Sequence, residues 1–170
     1  MSFMDLLTLS GSLHSESSLI ELYVDGDACP VKDEIFRVAK RYGLKVHLVA
    51  NSSLRVPRDP LFEMVVVRGG QLDVADDWIA ERVKRTDIAI TSDLPLAARC
   101  LAKGARVLDP RGKVFTDDAM GDALATRELM AQLRDMGVVS GGPAPFEAKD
   151  RSQFLQSLDT LIQAQKKALR

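Results

Sequence analysis

Five short apolar runs punctuate this chain, and stretches of helical periodicity separate most of them. The runs are LIELYV (19–24), KVHLVAN (45–51), EMVVVRGG (63–70), DIAIT (87–91) and ARVLD (105–109). Near-continuous apolar runs of this length suit strands covered on both faces. After the first run, VKDEIFRVAKRY places Val31, Ile35, Val38 and Tyr42 on one helical face. Pro30 is expected at the first helical position and Gly43 just past the last. Further helices are predicted over about 72–85, over PLAARCLAK (95–103) and over about 117–136. A breaker-rich segment, GVVSGGPAPFE, then leads to a final amphipathic helix with Phe154, Leu155, Leu158, Leu161 and Ile162 inward. Strands and helices alternating over short loops predict an α/β fold with three layers. Its mostly parallel central sheet of about five strands carries helices on both faces.

Composition narrows the functional classes. With 23 Lys and Arg against 24 acids the net charge is −1, so no global basic field advertises a nucleic-acid partner. That balance leaves a local basic groove open. Cys29, Cys100, His14 and His47 form no paired-ligand spacing, which argues against structural zinc. The start, MSFMDLLTLSGSLHSESS, lacks a basic leader and an apolar core, and no run approaches the ~20 residues that span a bilayer. A cytoplasmic protein with reduced thiols and no membrane partner is expected. Residues 1–18 are predicted to be a disordered extension, and 19–170 a single domain. A homo-oligomer stays open.

In open α/β sheets ligands sit beyond the carboxyl ends of the strands. YVDGDACPV puts Asp25 and Asp27 at the first of these ends. Asn51, Ser52 and Ser53 follow the second, and Arg68, Gly69 and Gly70 the third, with Asp73, Asp76 and Asp77 opening the next helix. Thr91, Ser92 and Asp93 follow the fourth, and Asp109, Arg111 and Gly112 the fifth. Acids from at least three strand ends would meet at one edge and repel one another unless a cation neutralised them. Hard oxygen ligands suit Mg²⁺ or Mn²⁺. Each acid also has a structural reading. Asp25 and Asp27 are turn formers, while Asp73 and Asp93 occupy helix N-cap positions. Asp76 borders the apolar stripe of its helix, and Asp77 falls on the wet face. Cys29 reads as packing and Cys100 as core. Asn51, Ser52, Arg55, Arg68 and Arg111 could contact phosphates, or the arginines could pair with the acids.

Six ordered motifs, VDGDACPV, VANSSLRVP, DVADDWI, ITSDLPLAARCLAKGA, LDPRG and GGP followed by DRSQF, together resemble the YaiI/YqxD family of uncharacterised bacterial proteins. The resemblance runs from about Leu22 into the last helix. It implies a PIN-like domain, a group whose members often are metal-dependent nucleases. Asp25, Asp27, Asp73, Asp76 and Asp93 match the family's acidic positions. Gly26 departs from its more typical alanine, Asp109 stands where asparagine is frequent, and Asp117 and Asp118 are left outside the site. The N-terminal extension has no counterpart.

The resemblance implies a divalent-metal-dependent phosphodiesterase acting on RNA or another nucleic acid. Asp25, Asp76 and Asp93 would be the catalytic metal ligands, with Asp27 and Asp73 in support. Two other readings stand beside it. An apolar strand followed by DGDAC also resembles a haloacid-dehalogenase-type phosphatase. There Asp25 would be the nucleophile and Asp27 the acid/base, with Thr91 or Ser92, Lys103 or Lys113, and Asp117–Asp118 in later roles. The third reading is a non-catalytic domain that binds nucleic acid or a protein. Two Tyr and one Trp make a poor stacking platform for single strands.

Overall fold

The structure is a computed structural model that describes residues 20–69, 73–142 and 144–170. The expected extension over 1–18, Leu19, His14, Gly70, Leu72 and Pro143 lie outside the described residues. The elements run β1 (Glu21–Asp25), α1 (Lys32–Tyr42), β2 (Lys45–Ala50), β3 (Phe62–Val66), α2 (Val74–Arg82) and β4 (Ile88–Ile90). Then follow α3 (Leu94–Ala102), β5 (Arg106–Leu108), β6 (Val114–Phe115), α4 (Asp117–Asp135) and α5 (Ala148–Ala168). The sheet order is β3-β2-β1-β4-β5-β6. All neighbours are parallel except β5 and β6, which form an antiparallel edge.

Alternation along the strands builds two cores. Leu22, Val24, Val46, Leu48, Ile88, Ile90 and Leu108 face α1 and α5, meeting Ile35, Phe36, Phe154, Leu158 and Ile162. Tyr23, Val49, Ala89 and Val107 face the other way, onto Ala75, Ile79, Leu96, Ala97 and Cys100 of α2 and α3, and onto Met120 of α4. The result is the expected three layers, with helices on both faces of the sheet, an arrangement of the PIN-like kind. His47 belongs to the second layer. Its ring stacks on Tyr23 at 4.6 Å and its Nδ1 lies 3.0 Å from Glu63, so it fills a place in the packing. Among the described residues no helix is long and apolar enough to cross a membrane.

The elements depart from expectation in three places. A sixth strand exists, only two residues long, too short to leave a period in the sequence. The predicted 72–85 helix spans Val74–Arg82, because Val83 turns to an extended backbone (ψ 140°). Pro30 sits in the turn before α1 and not at its first position, which Lys32 takes. Between β2 and its parallel neighbour β3 there is no helix, as expected. Pro57 and Pro60 forbid one, and the loop covers that face with Leu54 and Val56 instead.

The last helix is fastened at the carboxyl edge of the sheet. The Arg111 guanidinium meets Asp150 at 3.1 Å and donates to the Ala144 carbonyl, and the Ser157 hydroxyl donates to the Gly112 carbonyl at 2.7 Å. Arg151 donates to the Pro30 carbonyl at 2.7 Å and lies 3.1 Å from Glu34, tying α5 to the turn after β1. Beyond its first turn α4 is largely exposed.

Candidate carboxylate site

The strand order reverses between β1 and β4, because the chain fills the β2–β3 side before crossing to β4, β5 and β6. Such a switch point opens a crevice at the carboxyl ends. Asp25 is the last residue of β1, and Thr91, Ser92 and Asp93 follow β4 directly. The buried Thr91 hydroxyl donates to Asp25 Oδ2 at 3.0 Å, and its oxygen accepts the Asp93 N–H at 3.0 Å. Asp93 Oδ1 accepts the Leu96 N–H at 2.9 Å. Asp93 therefore caps α3 with one oxygen, as its position predicted, while remaining in the crevice wall. On the other side, the Asp27 carboxylate accepts the Asn51 N–H at 3.1 Å and so laces the turn to the end of β2.

The turn itself is tightly built. The Gly26 N–H donates to the Val49 carbonyl at 2.7 Å, and a Cβ at Gly26 would lie 2.9 Å from Leu48 Cδ1. Alanine there would require the Leu48 side chain to yield. Two residues on, Ala28 holds a left-handed backbone with φ 62°. A residue with a Cβ pays about 1–2 kcal/mol for that conformation. Ala28→Gly should stabilise the protein by about 0.5–1 kcal/mol, the relief of strain being partly offset by glycine's greater freedom when unfolded. Urea unfolding measures it, and a loss of stability would mean that the turn is unstrained.

Asp25, Asp27 and Asp93 line one cleft of about 450 Å³, together with Ser92, Leu94 and Arg127. Burial pushes the Asp25 carboxyl up to about 6, against the Thr91 hydrogen bond, and the charges of Asp27 and Asp93 add to the rise. Burial likewise pushes Asp76 up to about 6, reinforced by Asp93, Asp25 and Asp73. The acids of β1, α2 and the β4–α3 turn thus feel one another's charge. Among the described residues no three of His, Cys, Asp and Glu stand close enough to hold one ion by themselves. The donor set still suits Mg²⁺, which keeps several waters and commonly takes only one or two carboxylates plus substrate phosphate. Asp25 and Asp93, side by side in the cleft and joined through Thr91, would be that pair.

The other sequence candidates distribute themselves unevenly. Asp73 stands at the N-cap of α2 without a capping hydrogen bond from its side chain, and Asp77 is exposed and paired with Arg99 at 2.7 Å. Asn51, Ser52 and Arg55 are exposed at the end of β2 and in the loop beyond it. Arg111 is engaged by Asp150, so its guanidinium serves the docking of α5. Asp109 accepts the N–H groups of Arg111 and Lys113, which makes it the former of the β5–β6 turn. Asp117 and Asp118 are exposed in the first turn of α4, which Thr116 caps. Lys103 closes α3 beside the start of β5, at the edge of the sheet away from Asp25. Both thiols are buried, and burial pushes Cys29 up and Cys100 up to about 11, as packing residues behave. Arg127 is the wall residue that the strand-end inventory passes over. A signal existed: it lies seven residues after the buried Met120, on the same side of α4.

The chain is similar to a family model and to several curated proteins. The sequence model described as "Uncharacterized BCR, YaiI/YqxD family" matches residues 23–164. UPF0178 protein amb2838 of Paramagnetospirillum magneticum is 54% identical over 151 residues, 89% of this chain and 99% of that protein. UPF0178 protein RC1_2062 of Rhodospirillum centenum is 57% identical over 150 residues, 86% of this chain and 97% of its own length. A UPF0178 protein of Azorhizobium caulinodans is 54% identical over 149 residues, covering 88% and 93% respectively. No solved structure matches the chain. With the family's sequence model spanning β1 to α5 and full-length relatives above half identity, the chain belongs to the YaiI/YqxD family.

Proposed function

We propose that this protein is a divalent-metal-dependent phosphodiesterase acting on RNA or another nucleic acid in the cytoplasm. One observation carries the reading: Asp25, Asp27 and Asp93 line one cleft at the carboxyl edge of the sheet, Asp25 is joined to Asp93 through Thr91, and burial and the neighbouring acids push the Asp25 carboxyl up to about 6. A fold does not retain mutually repelling, partly buried carboxylates without some compensation, and clefts that shift acids in this way are candidate functional sites. A cation is the direct compensation. Asp25 and Asp93 would hold Mg²⁺ or Mn²⁺, with Asp27, Asp73 and Asp76 supplying negative potential around it. The bound ion would supply an acidified water and charge neutralisation at the phosphoryl oxygens. Thr91 holds the Asp25 carboxylate in place through Oδ2. Two buried thiols in opposite layers, Cys29 and Cys100, fit a reducing compartment.

The test is cleavage of end-labelled single-stranded RNA and DNA in Mn²⁺, Mg²⁺ and EDTA. Hydrolysis should require metal, and Asp25→Asn and Asp93→Asn should each slow it by at least about 100-fold, the scale of losing several kcal/mol of charge stabilisation. Products that form equally in EDTA, or variants as fast as wild type, would overturn the reading.

A further inference from the structure

We propose that Arg127 and Lys113 form a phosphate track leading out of the carboxylate cleft, so that the site takes a nucleic-acid strand of several phosphates and not a lone phosphomonoester. The inference rests on the reading of the cleft as a phosphodiester site. Arg127 is a wall of that cleft and also a wall of a second, neighbouring groove of about 350 Å³. Lys113, Asp122, Ala123 and Thr126 complete the second groove. The two hollows are therefore neighbours that share Arg127 in their walls. α4 contributes Arg127 to both, and the β5–β6 turn contributes Lys113 to the second alone.

Arg127 reaches this position because α4 lies against α3 through its N-terminal part. Met120 is buried and Ala123 half-buried on that side, and Arg127 continues the same stripe toward the cleft. A long cation on the inward stripe of a helix commonly meets a carboxylate. Here, among the described residues, neither Arg127 nor Lys113 lies within ion-pair distance of one, although Asp122 shares their groove. The charge layout then runs from acids at the switch point to Arg127, shared by the two hollows, and to Lys113 in the second, where Asp122 is the one carboxylate among the described lining residues. A phosphodiester chain fits that sequence. The scissile group would sit at the acids, whose charge a bound cation would offset, and the following phosphates would meet Arg127 and Lys113. A monoester would leave Lys113 unused.

Fluorescence anisotropy with a labelled single-stranded 12-mer RNA in EDTA reads the track without turnover. Arg127→Ala and Lys113→Ala should each weaken binding by about 3–10-fold and reduce the salt slope by about 0.7, the value for one phosphate contact on a single strand. Melting temperatures should not move, because both side chains are exposed. Wild type that binds no strand, or variants that bind as wild type does with an unchanged slope, overturns the track. The metal reading fails separately: it predicts cation dependence of cleavage and loss on changing Asp25, neither of which involves Arg127. Strand binding that needs Arg127 without any metal-dependent cleavage would uphold the track and remove the catalytic reading. Metal-dependent cleavage that is indifferent to Arg127 and Lys113 would do the reverse.

Discussion

Gly112→Ala should lower the unfolding free energy by about 3–5 kcal/mol and the melting temperature by about 10 °C. Gly112 closes the β5–β6 turn with φ +90°, and a Cβ there would lie 2.7 Å from the Gln153 carbonyl carbon and 2.8 Å from its oxygen. Both atoms belong to the backbone of α5, which cannot yield as a side-chain tip can. The left-handed conformation adds its own penalty of about 1–2 kcal/mol. The helix displaced is the one whose Phe154, Leu158 and Ile162 are fully buried against the sheet, and whose Arg151 holds the Pro30 carbonyl. Gly121→Ala is the matched control. It lies in α4 with nothing within 4 Å of the added methyl, and should gain about 0.5–1 kcal/mol from helix propensity. Thermal melts of the two variants measure the contrast. A Gly112→Ala protein that melts with wild type would mean that α5 does not rest on this turn.

Asp25→Asn should make the protein more stable in the absence of metal, by about 1–2 kcal/mol at pH 7.5, or several degrees in Tm. The Asp25 carboxyl is pushed up to about 6 in the folded protein, above the ordinary value of 3.8. The native state therefore holds this proton more tightly than the unfolded chain does between those two values. Stability consequently falls as pH rises from about 4 to about 6, and the full cost persists above that. Asparagine removes the charge while keeping an oxygen to accept the Thr91 hydroxyl. The advantage of the variant should shrink on acidification and vanish only below about pH 3, where wild-type Asp25 is protonated in both states. Melting curves in EDTA across that range decide it. A variant less stable than wild type at pH 7.5 would show that the charge is already compensated by the protein itself.

Much of this architecture was legible because the physics behind it is local. Apolar runs such as KVHLVA and IAI, short and rich in β-branched residues, suit strands buried on both faces, and Phe154, Leu158 and Ile162 recur at helical spacing. The convergence of Asp25, Asp27 and Asp93 follows from the general placement of sites at the carboxyl ends of parallel strands. What stayed hidden depends on contacts distant in sequence or on a single side-chain orientation. Arg111 resembles a phosphate ligand until Asp150, 39 residues away, arrives on α5. Asp73 and Asp93 read alike as caps, and only the side-chain geometry shows that Asp93 accepts the Leu96 N–H while Asp73 accepts no such bond. Arg127 sits in a helix whose outer surface is exposed, so no strong amphipathic pattern marks its inward side. Strand β6 has two residues and no period to read.

The central claim is that the crevice between β1 and β4 holds a cation through Asp25 and Asp93. Isothermal titration of Mn²⁺ into the wild-type protein and into Asp25→Asn tests it most directly. The account predicts saturable binding between micromolar and low millimolar for wild type, and no measurable binding for the variant. It also predicts that Mn²⁺ raises the wild-type melting temperature and leaves that of Asp25→Asn unchanged. Absence of binding to wild type, or equal binding to both proteins, would contradict the claim.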